Sequence, residues 1–231
     1  MNEVNLRSKR LKLNTVSSLA NQVITIICGI ILPRLILVTY GSEVNGLINS
    51  ITQFLQIVAF LELGVGAVVQ ASLYKPLAKK DSVSVSRIVA SAQKFFSKLA
   101  MILLVYVVIL MIGYPFVAEQ NFGWIYTALM IAIISISSFA QYFLGITNSL
   151  LLVADQRGYV QYTLQLVTVI LNTLACVVLI KIGAGIHIVK LTTSLIYVLR
   201  PICLRIYVTK EYDIDRNIKY EGEPIKQKWN G

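Results

Sequence analysis

Residues 99–117 read LAMILLVYVVILMIGYPFV, nineteen positions without a charged side chain. Crossing the hydrocarbon core of a bilayer takes about 20 predominantly apolar residues in a helix. This run therefore reads as a transmembrane helix, not as the buried helix of a soluble domain. Comparable apolar runs lie on either side of it, at 15–40, 47–74, 124–153, 160–182 and 185–207. The six runs use up most of residues 1–208 and leave 209–231 as a basic tail. The fold class expected is all-α integral membrane, a six-helix transmembrane bundle with no separate soluble domain.

Composition points the same way. Hydrophobic residues make up 56% of the chain and charged residues 14%, against about 25% charged in ordinary soluble domains; the mean hydropathy is +0.71. The net charge of +10 does not indicate a nucleic-acid partner, because that needs the basic residues gathered on one exposed face, and here they alternate between connecting segments. Arg7, Lys9, Arg10 and Lys12 precede the first run, five Lys or Arg lie between Lys75 and Lys94, Arg157 sits between the fourth and fifth runs, and Lys210, Arg216, Lys219, Lys226 and Lys228 follow the sixth. The segments around Gly41 and from Glu119 to Gly123 carry none. Lys and Arg accumulate on the cytoplasmic side, so both termini are expected there, with the chain in the cytoplasmic membrane; only Lys181 dissents. The basic start resembles a signal peptide, but the run behind it continues to about Tyr40 without a small-residue cleavage site, so a retained first helix is expected. Cys28, Cys176 and Cys203 lie inside apolar runs without ligand or disulfide spacing and read as small packing residues.

Polar residues recur inside these runs at steps of three or four: Asn14, Ser18, Asn21, Thr25 and Cys28; Asn49, Gln53 and Gln56; Ser137, Gln141, Gly145 and Asn148; Gln161, Gln165, Thr168 and Asn172. Such spacing puts each set on one helix face. Stripes that converge would line a wet cavity, since an amide facing lipid is unsatisfied; the competing reading is polar packing between helices. The third run has almost no polar side chain and reads as lipid-facing. Before it, Ser86 to Lys98 places Ile88, Val89, Ala92, Phe95 and Phe96 on one face beside Arg87, Lys94 and Lys98, which suits either an amphipathic helix on the inner membrane surface or an extension of the third helix.

Ionisable residues within membrane helices are rare and usually functional. The candidates are Arg34, Glu62, Lys190 and Arg200. Arg34 and Lys190 each lie about 8–9 Å from the outer helix ends, where a cationic ring competes with snorkelling to the head groups. Glu62 and Arg200 share a mid-membrane depth that permits an ion pair or a cavity site. Pro33 and Pro201 adjoin two of these arginines and favour kinks. His187, without a placed partner, reads as structural. Gly64 and Gly66 have no preceding strand to make a nucleotide loop and read as sites of close helix packing. No Ser/His/Asp set, carboxylate pair or metal-ligand cluster appears, so neither an enzyme nor a cofactor is expected.

Pro33-Arg34, Tyr40-Gly41, Val44-Asn45-Gly46-Leu47-Ile48-Asn49-Ser50, Leu61-Glu62-Leu63-Gly64-Val65-Gly66 and Leu73-Tyr74-Lys75-Pro76-Leu77 resemble the N-terminal part of Wzx-like polysaccharide-biosynthesis flippases. That superfamily also holds the MATE-type multidrug exporters and the lipid II flippase. The resemblance implies one lobe of a MATE-like two-lobe transporter. Its substrate would be an undecaprenyl-diphosphate-linked oligosaccharide for capsule, exopolysaccharide or O-antigen synthesis, exported by alternating access. Arg34, Lys190 and Arg200 fit offsetting of the diphosphate charge. Family members have roughly twice as many helices, so residues 209–231 resemble an inter-lobe linker and a second transmembrane lobe is the implied partner beside membrane lipids. A lobe of a cation-coupled drug antiporter and a non-transporting membrane fragment are the alternatives. An antiporter calls for carboxylates at the cavity centre, where Glu62 stands against three basic residues.

Overall fold

The computed structural model describes residues 3–117 and 122–215 of the chain. Within them, every regular element is helical: α1 Glu3–Ala78, α2 Ser82–Val117, α3 Trp124–Ala140, a π-helical turn Gln141–Gly145, α4 Ile146–Ala154, α5 Gly158–Lys181 and α6 Ile186–Glu211. Among the described residues, five helices are long and apolar enough to cross a membrane, with α3, the π turn and α4 forming one continuous span. The tail cations Arg216, Lys219, Lys226 and Lys228 lie outside the described residues.

The first two apolar runs are joined without a loop. Gly41 interrupts α1 with φ +89° and ψ 170°, an extended mirror-image conformation essentially limited to glycine. The limbs at 3–40 and 42–78 fold into a hairpin about this residue. Arg10 near the start of the first limb and Leu77 and Ala78 at the end of the second line the same surface pocket. The second helix therefore begins directly after Gly41, before the expected start at 47. The hairpin turns five helices into six rods.

The first limb runs alongside α5. At one end the Asn14 side chain receives the Tyr159 N–H at 2.7 Å and donates to the Gln156 carbonyl at 2.9 Å. At the other, the Tyr40 hydroxyl donates to the Ala184 carbonyl at 2.5 Å. Gly183, at φ +77°, ends α5, with Ala184 N–H returning to the Leu179 carbonyl at 3.0 Å in the left-handed cap that glycine favours. Beyond it α6 packs on α3, where Ser194 Oγ donates to the Ile133 carbonyl at 2.6 Å.

The segment before the third run settles as a helical extension: α2 is a single helix from Ser82, started by the Asp81 carboxylate accepting the Ser84 N–H at 3.0 Å. The Ser84 hydroxyl, and after it this backbone N–H, hold the Asp81 carboxyl below its ordinary range. Val89, Ala92 and Phe96 are buried in the protein, so that apolar face packs on neighbouring helices and not on a membrane surface. The third run, expected to face lipid, is exposed on one face only. Met101, Ile102, Val105 and Ile109 are exposed, whereas Leu103 and Val107 are buried.

Candidate functional site

Between the two limbs of α1, α3, the π turn, α5 and α6 lies a cavity of about 600 Å³. Nine of the residues singled out in the sequence line it: Thr25, Gln56, Glu62, Ser137, Gln141, Gln165, Thr168, Lys190 and Arg200. One face of α6 forms its charged wall. Lys190, Thr193, Tyr197 and Arg200 follow one another at steps of three or four, the helical repeat of a single face, with Ser194 beside Thr193.

Glu62 and Arg200 do not form an ion pair; the salt bridges among the described residues all lie elsewhere. Glu62 instead lines the cavity beside Tyr142 of the π turn. Arg200 Nε and Thr25 Oγ1 are buried without a hydrogen-bond partner among the described residues. Two cations and one carboxylate thus share the cavity, with the carboxylate beside a phenol.

The π turn shapes this wall. A π turn breaks the α-helical ladder, and such turns recur at functional sites. Its Gln141 side chain lies over Gly145, where a β-carbon would meet Gln141 Oε1 at 2.5 Å and Pro201 Cβ at 3.0 Å. Pro201, next to Arg200, is therefore seated directly against the irregular turn, and the two interruptions face each other.

The remaining candidates fall elsewhere. Arg34, Asn49 and Gln53 are exposed and stand outside the cavity; Arg34 has the position of a snorkelling cation, not of a cavity ring. Asn21, Asn148 and Asn172 are buried outside the cavity lining. Asn148 donates to the Leu144 carbonyl at 2.6 Å and Asn172 to the Tyr197 hydroxyl at 3.4 Å, so these two serve packing. His187 is held structurally, its Nε2 at 3.1 Å from the Tyr126 carbonyl and its ring edge-on to Tyr126. Cys28 and Cys176 are buried free thiols, but Cys203 is exposed.

Sequence reasoning missed Tyr142 and Tyr197 because an aromatic in an apolar run carries no periodic signal. It also missed a network at the basic end of the bundle. Asp155 in the α4–α5 connection meets Arg157 at 2.9 Å and Arg10 at 3.7 Å, and accepts the Tyr212 hydroxyl at 2.7 Å. Arg157 also pairs with Glu211 and stands over the Tyr212 ring. Burial, then the bond to Asp155, push the Tyr212 phenol well up. Burial disfavours the Arg157 charge, but the hydrogen bond to Glu211 and the neighbouring acidic groups outweigh it and raise that guanidinium.

Fold and site together define a class: an all-helical bundle, of membrane-spanning length and apolarity, built around a charged polar cavity. No family model matches the chain, and comparisons with curated proteins and with solved structures find no match.

Proposed function

We propose that the chain is a six-helix transmembrane lobe of a flippase that exports an undecaprenyl-diphosphate-linked oligosaccharide by alternating access, working with a second lobe. Both termini face the cytoplasm, the side on which Lys and Arg accumulate, and the lobe moves its substrate without catalysing a reaction. One observation carries this reading: the cavity holds Lys190 and Arg200 on a single face of α6, neither paired with a carboxylate among the described residues. Two cations without a carboxylate partner inside a membrane-spanning bundle are costly unless an anion visits them, and a diphosphate is such an anion. The resemblance of residues 14–100 to Wzx-like flippases supplies the lipid-linked glycan.

The test is complementation of a strain lacking its oligosaccharide flippase, with this chain alone and with a second lobe. Rescue is expected only with both. Arg200→Gln or Lys190→Gln should then lower export about tenfold to a hundredfold, the weight of a hydrogen bond to a charged group, at unchanged membrane insertion. No rescue by two inserted lobes sinks the proposal.

Glu62 favours a second reading, a lobe of a cation-coupled drug antiporter, because a carboxylate in the cavity could carry the coupling ion. Under that reading Glu62→Gln abolishes drug efflux while Arg200→Gln leaves it.

A further inference from the structure

The exposed face of α2 changes character once along its length. From Met101 onward it presents Met101, Ile102, Val105, Ile109 and Ile112, each 55–60% exposed. Towards the helix start the same face continues as Lys98, Lys94 and Arg87, all exposed. At 3.6 residues per turn these eight residues fall within about 60° of one line along the helix. The opposite face is buried through Val85, Val89, Ala92, Phe96, Leu99 and Leu103. The helix is thus seated on the protein from its first turn to Leu103, and its outer face, after the exposed Val83, is basic from Arg87 to Lys98 and apolar from Met101 onward.

Residues 99–117 span about 30 Å at 1.5 Å per residue, the thickness of the hydrocarbon core. Lys98 therefore stands at the edge of that core, Lys94 about 6 Å beyond it, and Arg87 about 16 Å beyond it. The head-group layer is about 5–8 Å deep on each side. Two lysines consequently fall within it on a face already committed to acyl chains, and Arg87 lies about one Debye length further out.

We infer that this face of α2 is a binding surface for anionic phospholipids in the leaflet at the basic end. The apolar half holds the acyl chain, and Lys98 and Lys94 hold the phosphate of the same lipid. Continuity of the two halves selects a lipid over a soluble anion, which would have no use for the apolar part. The surface is separate from the cavity, to which α2 contributes no lining residue, so it stands whether or not the chain transports anything.

The full chain, reconstituted in nanodiscs of mixed phosphatidylcholine and phosphatidylglycerol, is extracted and its retained lipids are counted by native mass spectrometry. Phosphatidylglycerol should be enriched. Lys94→Gln and Lys98→Gln should each lower that enrichment about fivefold, the effect of one cation at an anionic surface, with Arg87→Gln smaller. Lys75→Gln together with Lys79→Gln, also basic-end exposed lysines but off this face, should leave it unchanged. No preference for phosphatidylglycerol in the unaltered chain, or an equal loss from the Lys75 and Lys79 pair, would overturn the assignment. Should the glutamine variants fail to fold, two further readings decide. Lys94→Arg with Lys98→Arg should keep the enrichment, and about 1 M salt, with a screening length of about 3 Å, should erase it in the unaltered chain. Enrichment that survives the salt overturns the proposal.

Discussion

At Gly41 the backbone adopts φ +89° and ψ 170°, and nothing lies within 4 Å of where a β-carbon would stand. Any cost of a side chain there is conformational. Gly41→Ala should destabilise the chain by about 1–3 kcal/mol, read as a lowered thermal midpoint in detergent; an unchanged midpoint would show that the hairpin does not depend on this conformation. Gly145 differs, since its φ is helical and its neighbours are close. Gly145→Ala must displace Gln141 from the cavity wall or push on Pro201, and overpacking of this kind costs about 1–3 kcal/mol. The sequence pointed instead to Gly64 and Gly66 as sites of close packing, yet nothing lies within 4 Å of a β-carbon at Gly64 and Gly66 would meet only Leu150 at 3.6 Å, because strain and close approach are properties of the folded backbone. Of the four charged candidates, depth along the helix pointed to Glu62 and Arg200 as an ion pair or cavity site, and both line the cavity, but depth alone did not distinguish Lys190, in the cavity, from Arg34, outside it. That difference is rotational and belongs to packing.

Among the elements, the connection between α4 and α5 binds three others together. Asp155 holds Arg10 of the first limb, Arg157 of its own turn and Tyr212 after α6. Asp155→Asn removes charge from three contacts at once and should lower stability by about 1.5–3 kcal/mol, the range for hydrogen bonds to charged groups. Tyr212→Phe, which loses one bond, should cost about 1 kcal/mol. Comparison of thermal midpoints checks both, and an effect of Tyr212→Phe equal to that of Asp155→Asn would mean that the ionic contacts contribute nothing. The sequence showed Arg157 only as a positive charge in a short turn. Its partner Glu211 lies 54 residues downstream, and Arg10, which meets the same Asp155, lies 145 residues upstream of that aspartate, distances over which no periodicity reaches. The extent of α2 was equally open. An apolar face beside three cations fits a membrane surface or a protein surface, and only burial of Val89, Ala92 and Phe96 against neighbouring helices decides between them.

For the molecule as a whole, Asn49 and Gln53 pose the sharpest question. Both are exposed on the second limb, and an amide cannot face hydrocarbon unsatisfied without cost. Under the proposed function this face meets the second lobe or the water between lobes. In a background with Cys28, Cys176 and Cys203 replaced, a cysteine substituted for Gln53 should react with a water-soluble maleimide in membranes and be protected when a second lobe is co-expressed. A cysteine in place of Ile109 should not react in either case. Reaction at neither site would place the Gln53 face in lipid and remove this support for a two-lobe assembly.

The sequence by itself determined an all-helical fold of long apolar rods and the gathering of basic residues at one end. A bilayer permits few backbone solutions, and both length and charge bias are written locally. It also marked most of the polar residues around the cavity, since a stripe at steps of three or four needs only one helix to be seen. Which stripes meet was decided by the tertiary structure. The Gly41 hairpin sets the second limb against the π turn so that Glu62 finds Tyr142, the packing of α6 turns Lys190 and Arg200 inward, and Arg34, Asn49 and Gln53 are left outside. The rotation of one helix against another is fixed by contacts between residues far apart in the chain, and no single segment encodes it.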